Sequence, residues 1–148
     1  MKELRDFINK CEQEGELHRI KAEVDWNLEL SHIAKINEER KGPALLFENV
    51  KGYDIPVLTS AFTTPRRLAI GLGMPLNYSM CDMAREWMKL TTKQLMKPVV
   101  VDSGPVCEMV LEGDDVDILS LPVPFFYPRD GGRFVGTAVY LVTQDKET

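Results

Sequence analysis

"LPVPFFYPRDGGRF", residues 121–134, sets Pro122, Pro124 and Pro128 around a run of aromatic residues and closes on Asp130-Gly131-Gly132. Proline fixes its own φ, lacks an N–H and pushes the residue before it away from the helical region. The stretch is therefore a stiff, extended path. Asp-Gly-Gly is favourable hairpin chemistry, because glycine accepts positive φ without strain. A strand is expected next. From Phe134 to Thr143 the residues alternate: Val135, Thr137, Val139 and Leu141 share one face, and Phe134, Gly136, Ala138 and Tyr140 share the other. Thr137 is the lone hydroxyl on its apolar face. Gly136 and Ala138 leave the opposite face uncrowded, which lets a flat ligand or another backbone approach.

Upstream of this path, from residue 98 to residue 120, there is no helical period. Residues 106–111 read as one more strand, and turn chemistry separates them from the proline-rich path. Two or three strands leave an open sheet edge. Residues 98–148 are thus expected to open a β domain that the chain leaves unfinished. Residues 1–97 read differently. Leu4, Phe7, Ile8 and Cys11 recur at helical spacing, with Gly15 as the stop. "ELHRIKAEV" is a short strand. "LELSHIAKINEERK" is a helix with Leu30, Ile33 and Ala34 inward, Asp25 or Asn27 as its N-cap and Gly42-Pro43 as its end. "PALLFENV" and "IPVLTSAF" are continuous apolar runs, the pattern of strands covered on both faces. Thr64-Pro65 starts another helix, closed by Gly71 and Gly73. Met80, Met83, Ala84 and Trp87 mark a fourth, amphipathic one. This alternation defines an α/β layer domain over residues 1–97.

Composition narrows the function classes. The chain has 148 residues, 44% of them hydrophobic, and a formal net charge of −5. That balance argues against a general nucleic-acid binder, which presents a basic surface. No run reaches the roughly 18 apolar residues of a membrane span. The charged N-terminus lacks a signal-peptide core, so a cytoplasmic protein is expected. Cys11, Cys81 and Cys107 are isolated and odd in number, which disfavours structural disulfides and zinc.

The remaining motifs are weak. "GLGMP" follows a helix and lacks the third glycine of a dinucleotide loop, so a helix C-cap is the better reading. "EGDDVDIL" lacks the glycine and closing glutamate of a calcium loop, and reads as a turn whose Asp side chains take local amides. His18 and His32 have no metal-ligand partner at a recognisable spacing. No nucleophile–base pair stands out.

The blocks "GPALLFENVKGYDIPVL", "EGDDVDILSLPVP" and "DGGRFVGTAVYLVTQD" resemble the N-terminal part of UbiD-type decarboxylases. The resemblance runs from the first helix to the end of the chain. The two later blocks, in this order, are its specific part. It implies an α/β domain followed by the first strands of a split β-barrel flavin-binding domain. It implies reversible decarboxylation or carboxylation of aromatic or α,β-unsaturated carboxylic acids, with CO₂ as product or substrate. It also implies prenylated FMN held with Mn²⁺ and K⁺, and a homo-oligomeric full-length enzyme. The family's metal ligands and catalytic glutamates come later than Thr148, so no catalytic or metal residue is carried over. Only Thr137 is, as a flavin neighbour five residues after Gly132. The 148-residue piece alone is expected to be inactive and to bind no cofactor. Two other readings stay open at this point: a flavin reductase-like split barrel with an unrelated leading domain, and a non-enzymatic accessory subunit.

Overall fold

Ala44-Leu45-Leu46-Phe47 is the middle strand of the described sheet, and all four residues are buried. The structure is a computed structural model and describes residues 3–92 and 97–136. Its elements are α1 (Leu4–Gln13), β1 (Leu17–Ile20), α2 (Glu29–Glu39), β2 (Ala44–Phe47), β3 (Val57–Thr59), α3 (Pro65–Leu72) and α4 (Met80–Thr91). The sheet order is β1-β2-β3. β1 and β2 are parallel, as a strand-helix-strand crossover through α2 requires. β3 returns antiparallel, with Leu46 opposite Leu58.

Period-two alternation divides the sheet between two apolar layers. Leu45, Phe47 and Val57 face α2 and pack with Leu30, Val24 and Val50. Leu17 and Leu58 face the other side and pack with Phe7, Cys11 and Ile70 from α1 and α3. The central strand is therefore apolar throughout, because both its faces are covered. A third, smaller group joins Ala69, Met74 and Met83 and seats α4. α4 carries a full capping box between Ser79 and Asp82. Of its apolar stripe Met83 alone is buried, while Met80 and Trp87 are exposed.

One buried charge ties these layers together. The Arg67 guanidinium on α3 is fully buried. Its Nε donates to the Ser60 carbonyl at 3.0 Å. Nη1 donates to the Glu16 carboxylate at 2.9 Å, and Nη2 to Thr63 Oγ1 at 2.6 Å.

Local signals fared unevenly. Thr64 caps α3 by accepting the Arg67 amide, with Pro65 at the first helical position. Gly73 takes φ 67° as the left-handed C-cap, so "GLGMP" is a helix end. Gly71 is not a stop. It lies inside α3, where a Cβ would come within 2.8 Å of the Phe62 ring. Asp25 and Asn27 do not cap α2. That place falls to Leu28 at φ 71°, because Leu28 N–H is drawn to the Phe125 carbonyl at 3.1 Å. The Asp25 side chain instead accepts the Asn27 amide at 2.8 Å. This bond first, and Lys51 second, hold its carboxyl below the usual carboxylate range.

After Pro98 the largest corrections occur. The expected strand over residues 106–111 is absent: a 3₁₀ turn spans Pro105–Cys107, and Met109, Val110 and Leu111 are exposed. A strand needs a hydrogen-bonded neighbour, and no described strand lies beside it. Further 3₁₀ turns follow at Gly113–Asp115 and Ile118–Ser120. Asp117 accepts the Leu119 amide at 2.8 Å, as a local turn rather than an ion site would have it. Gly131 and Gly132 do not take positive φ, so Asp-Gly-Gly does not make the expected glycine-dependent turn; the strand expected over residues 134–143 lies mostly outside the described residues. The reversal lies one step earlier. Asp130 N–H donates to the Tyr127 carbonyl at 3.0 Å, and the Asp130 carboxylate accepts the Tyr127 amide at 3.1 Å. Pro128 fits the second position of that turn. Among the described residues, no helix is long and apolar enough to cross a membrane.

The cysteines give a first test. Cys11 is fully buried, whereas Cys81 and Cys107 are exposed. Burial pushes the Cys11 thiol up to about 11. Above pH 9.0, the ordinary value, the unfolded chain releases this proton while the folded chain keeps it. Its contribution is complete below that pH and is lost as pH climbs toward 11. Urea unfolding between pH 8 and pH 11 should therefore show an alkaline loss of stability that Cys11→Ala reduces. An identical alkaline slope in the variant would contradict this. Thiol titration of the folded protein should find Cys81 and Cys107 reactive, and Cys11 only after unfolding.

Candidate functional site

The proline-rich path lies against the α/β domain. Phe125 makes a single parallel bridge with Asn27, just before α2. Phe125 N–H donates to the Trp26 carbonyl at 3.0 Å, and its own carbonyl accepts from Leu28. The ladder goes no further, because the Val123 amide donates to the Leu121 carbonyl and the Tyr127 amide to the Asp130 carboxylate. Ser31, one turn into α2 and buried, faces the same place. Its Oγ lies 2.8 Å from the Leu28 carbonyl, 3.2 Å from that of Phe125 and 3.0 Å from that of Phe126. One hydroxyl proton serves one of these at a time. Tyr53 OH donates to the Leu119 carbonyl at 3.1 Å. Lys35 Nζ stands 5.9 Å from the centre of the Tyr127 ring.

Docking in this way opens a cleft of about 350 Å³ between the path and β3. Val57, Leu58 and Thr59 form one wall; Pro122, Pro124, Phe126 and Phe134 form the other. β3 is an edge strand, so its outer side is free of the sheet. Thr59 Oγ1 is buried without a hydrogen-bond partner among the described residues. The described lining includes no Asp, Glu, His, Cys or Lys. The cleft can hold an apolar or planar group. The described lining supplies no acid, base or metal ligand.

That chemistry bears on the implied cofactor. A flavin phosphate and a divalent ion need charged or strongly polar ligands. Among the described residues no three His, Cys, Asp or Glu side chains are placed to share a metal. The described residues thus do not fit the flavin–metal group. Thr137, the one cofactor neighbour expected from the sequence, lies outside the described residues. His18 and His32 are exposed and far apart in role, one on β1 and one on α2. Sequence reasoning missed Trp26, Ser31 and Tyr53. Each is an ordinary residue in its own element, and only the long-range docking reveals its part.

Fold and cleft together define an α/β scaffold domain that carries a downstream segment on one side. The chain belongs to the UbiD family. Residues 8–87 match the 3-octaprenyl-4-hydroxybenzoate carboxy-lyase N-terminal domain, and residues 97–148 match the Rift-related domain of the same enzyme. Solved structures agree. The vanillic acid decarboxylase of Sedimentibacter hydroxybenzoicus, in its closed form, is 30% identical with a TM-score of 0.81; the match covers 90% of this chain and 29% of that one. The UbiD-class enzyme HmfF from Pelotomaculum thermopropionicum, in complex with FMN, is 28% identical with a TM-score of 0.74, over 88% of this chain and 28% of that one. An evolved dimeric form of HmfF, in complex with prFMN, matches at 28% identity and a TM-score of 0.75, over 88% of this chain and 29% of that one. The chain thus spans less than a third of the length of these relatives.

Proposed function

We propose that this chain is the leading portion of a UbiD-type carboxy-lyase that reversibly decarboxylates aromatic or α,β-unsaturated carboxylic acids with prenylated FMN. The observation that carries this reading is the likeness to vanillic acid decarboxylase across nine-tenths of the chain. The FMN and prFMN complexes of HmfF support the cofactor. In this reading residues 1–97 are the α/β scaffold. Residues 98–148 begin the split β-barrel, and Thr137 stands beside the flavin. Mn²⁺ and K⁺ are held by residues outside the described ones. The full-length enzyme is a cytoplasmic homo-oligomer that takes up or releases CO₂.

Thr137→Val in the full-length protein tests the cofactor contact. Valine nearly matches threonine in shape, so the substitution removes the hydroxyl and little else. If that hydroxyl bonds flavin, or a group that positions it, affinity should fall about tenfold, the equivalent of roughly 1 kcal/mol. Flavin content and turnover should then drop at an unchanged melting temperature. Unchanged flavin content and turnover, with an equal or higher melting temperature, would make Thr137 an ordinary strand residue.

A further inference from the structure

Arg133 follows the glycine pair, and its side chain turns back onto the path just traversed. Nε donates to the Val123 carbonyl at 2.7 Å. Nη2 donates to the Leu121 carbonyl at 2.9 Å and lies 2.9 Å from Tyr53 OH. The guanidinium carbon sits 4.3 Å from the centre of the Trp26 ring and 5.6 Å from that of Tyr53. One cation thereby joins two backbone positions of the path to two aromatic side chains of the α/β domain.

The sequence explains why a side chain is needed there. Pro122 and Pro124 lack N–H groups, so a neighbouring strand could not pair regularly with this stretch. The Val123 amide turns back to the Leu121 carbonyl at 2.8 Å, so the Val123 carbonyl still needs a donor and the Leu121 carbonyl has a second lone pair to offer. A guanidinium supplies several in a fixed planar fork, and its flat face stacks on an aromatic ring. An ammonium has neither the fork nor the face. Trp26 and Tyr53 both pack against the core that contains Phe47 and Val50, so the anchor on the domain side is firm.

We propose that Arg133 is a positioning residue. It latches residues 119–125 to Trp26 and Tyr53, and so fixes where the chain departs at Phe134 toward Thr137. The latch stands on the contacts alone. Only its effect on a cofactor rests on the proposed function.

Amide hydrogen exchange on the 148-residue chain tests the latch. The informative amides are Leu28, bonded to the Phe125 carbonyl, and Phe125, bonded to the Trp26 carbonyl. Arg133→Met should lower protection at both by about tenfold or more, the combined scale of a cation–π contact and charge-assisted hydrogen bonds. Val24 and Ala44, whose amides bond inside the α/β domain, should keep theirs. Arg133→Lys should also lose protection at Leu28 and Phe125, because charge without the fork is insufficient. Full protection in Arg133→Met or in Arg133→Lys would overturn the proposal. An equal loss at all four amides would overturn it too, since Arg133 would then serve general stability. In the full-length protein, Arg133→Met should lower flavin content at an equal melting temperature. Unchanged content would overturn the link from latch to cofactor. A wild-type protein that takes up no flavin would refute the proposed function and leave the exchange result standing.

Discussion

Arg67→Ala should lower the free energy of unfolding by about 3–5 kcal/mol, the combined scale of acceptors left without a donor and of the space a fully buried long side chain vacates. The guanidinium has no solvent exposure, and three different elements depend on it. The Ser60 carbonyl belongs to the turn after β3, Glu16 leads into β1, and Thr63 precedes α3. Glu16 is not abandoned by the substitution, because Arg66 also holds it at 3.0 Å. The loss therefore comes mainly from the Ser60 carbonyl, from Thr63 and from the cavity. Arg67→Met fills much of that volume without supplying donors, so it should fall between wild type and alanine. Urea unfolding of the three proteins gives the comparison. A cost below about 1 kcal/mol for Arg67→Ala would show that the buried charge is dispensable.

Phe47→Ala should cost a similar amount, about 3–5 kcal/mol, for a different reason. Phe47 is fully buried at the centre of the layer between β2 and α2. Deleting its ring removes apolar surface from the core and leaves a void that Leu30, Val24 and Val50 cannot wholly fill. A domain of this size has only about 5–15 kcal/mol in total, so the variant should sit near the edge of folding. Trp26 and Tyr53 lean on the same layer. The variant should accordingly loosen the docked path as well, seen as faster exchange at Leu28. Ile55→Ala is the control: Ile55 is 47% exposed, and its loss should change stability by no more than about 0.5 kcal/mol. Equal thermal shifts for the two variants would contradict this placement of the core.

The α/β half was legible because its signals are local. Thr64-Pro65 and Gly73 mark α3 by backbone chemistry that acts within a few residues. The apolar run at Ala44–Phe47, short and continuous, has the pattern of a strand covered on both faces, and it is one. The cap of α2 was misread because Leu28 is held by Phe125, nearly a hundred residues away in sequence. Asp25 has the right chemistry for a cap and uses it on a turn instead. Residues 106–111 have strand composition, but composition does not provide a neighbour. The Asp-Gly-Gly motif named the right place for a reversal and the wrong residues, because Pro128 had already set the turn. The docking contacts at Trp26, Ser31 and Tyr53 follow from tertiary structure and have no periodic signature.

The central claim is that this chain opens a carboxy-lyase, and CO₂ is its most direct witness. The measurement is CO₂ release from aromatic and α,β-unsaturated carboxylic acids by the full-length holoenzyme, with and without prenylated FMN. The account predicts cofactor-dependent release, together with exchange of labelled CO₂ into the substrate. A full-length protein that binds flavin and oxidises NADH, with no CO₂ released from any such acid, would contradict it.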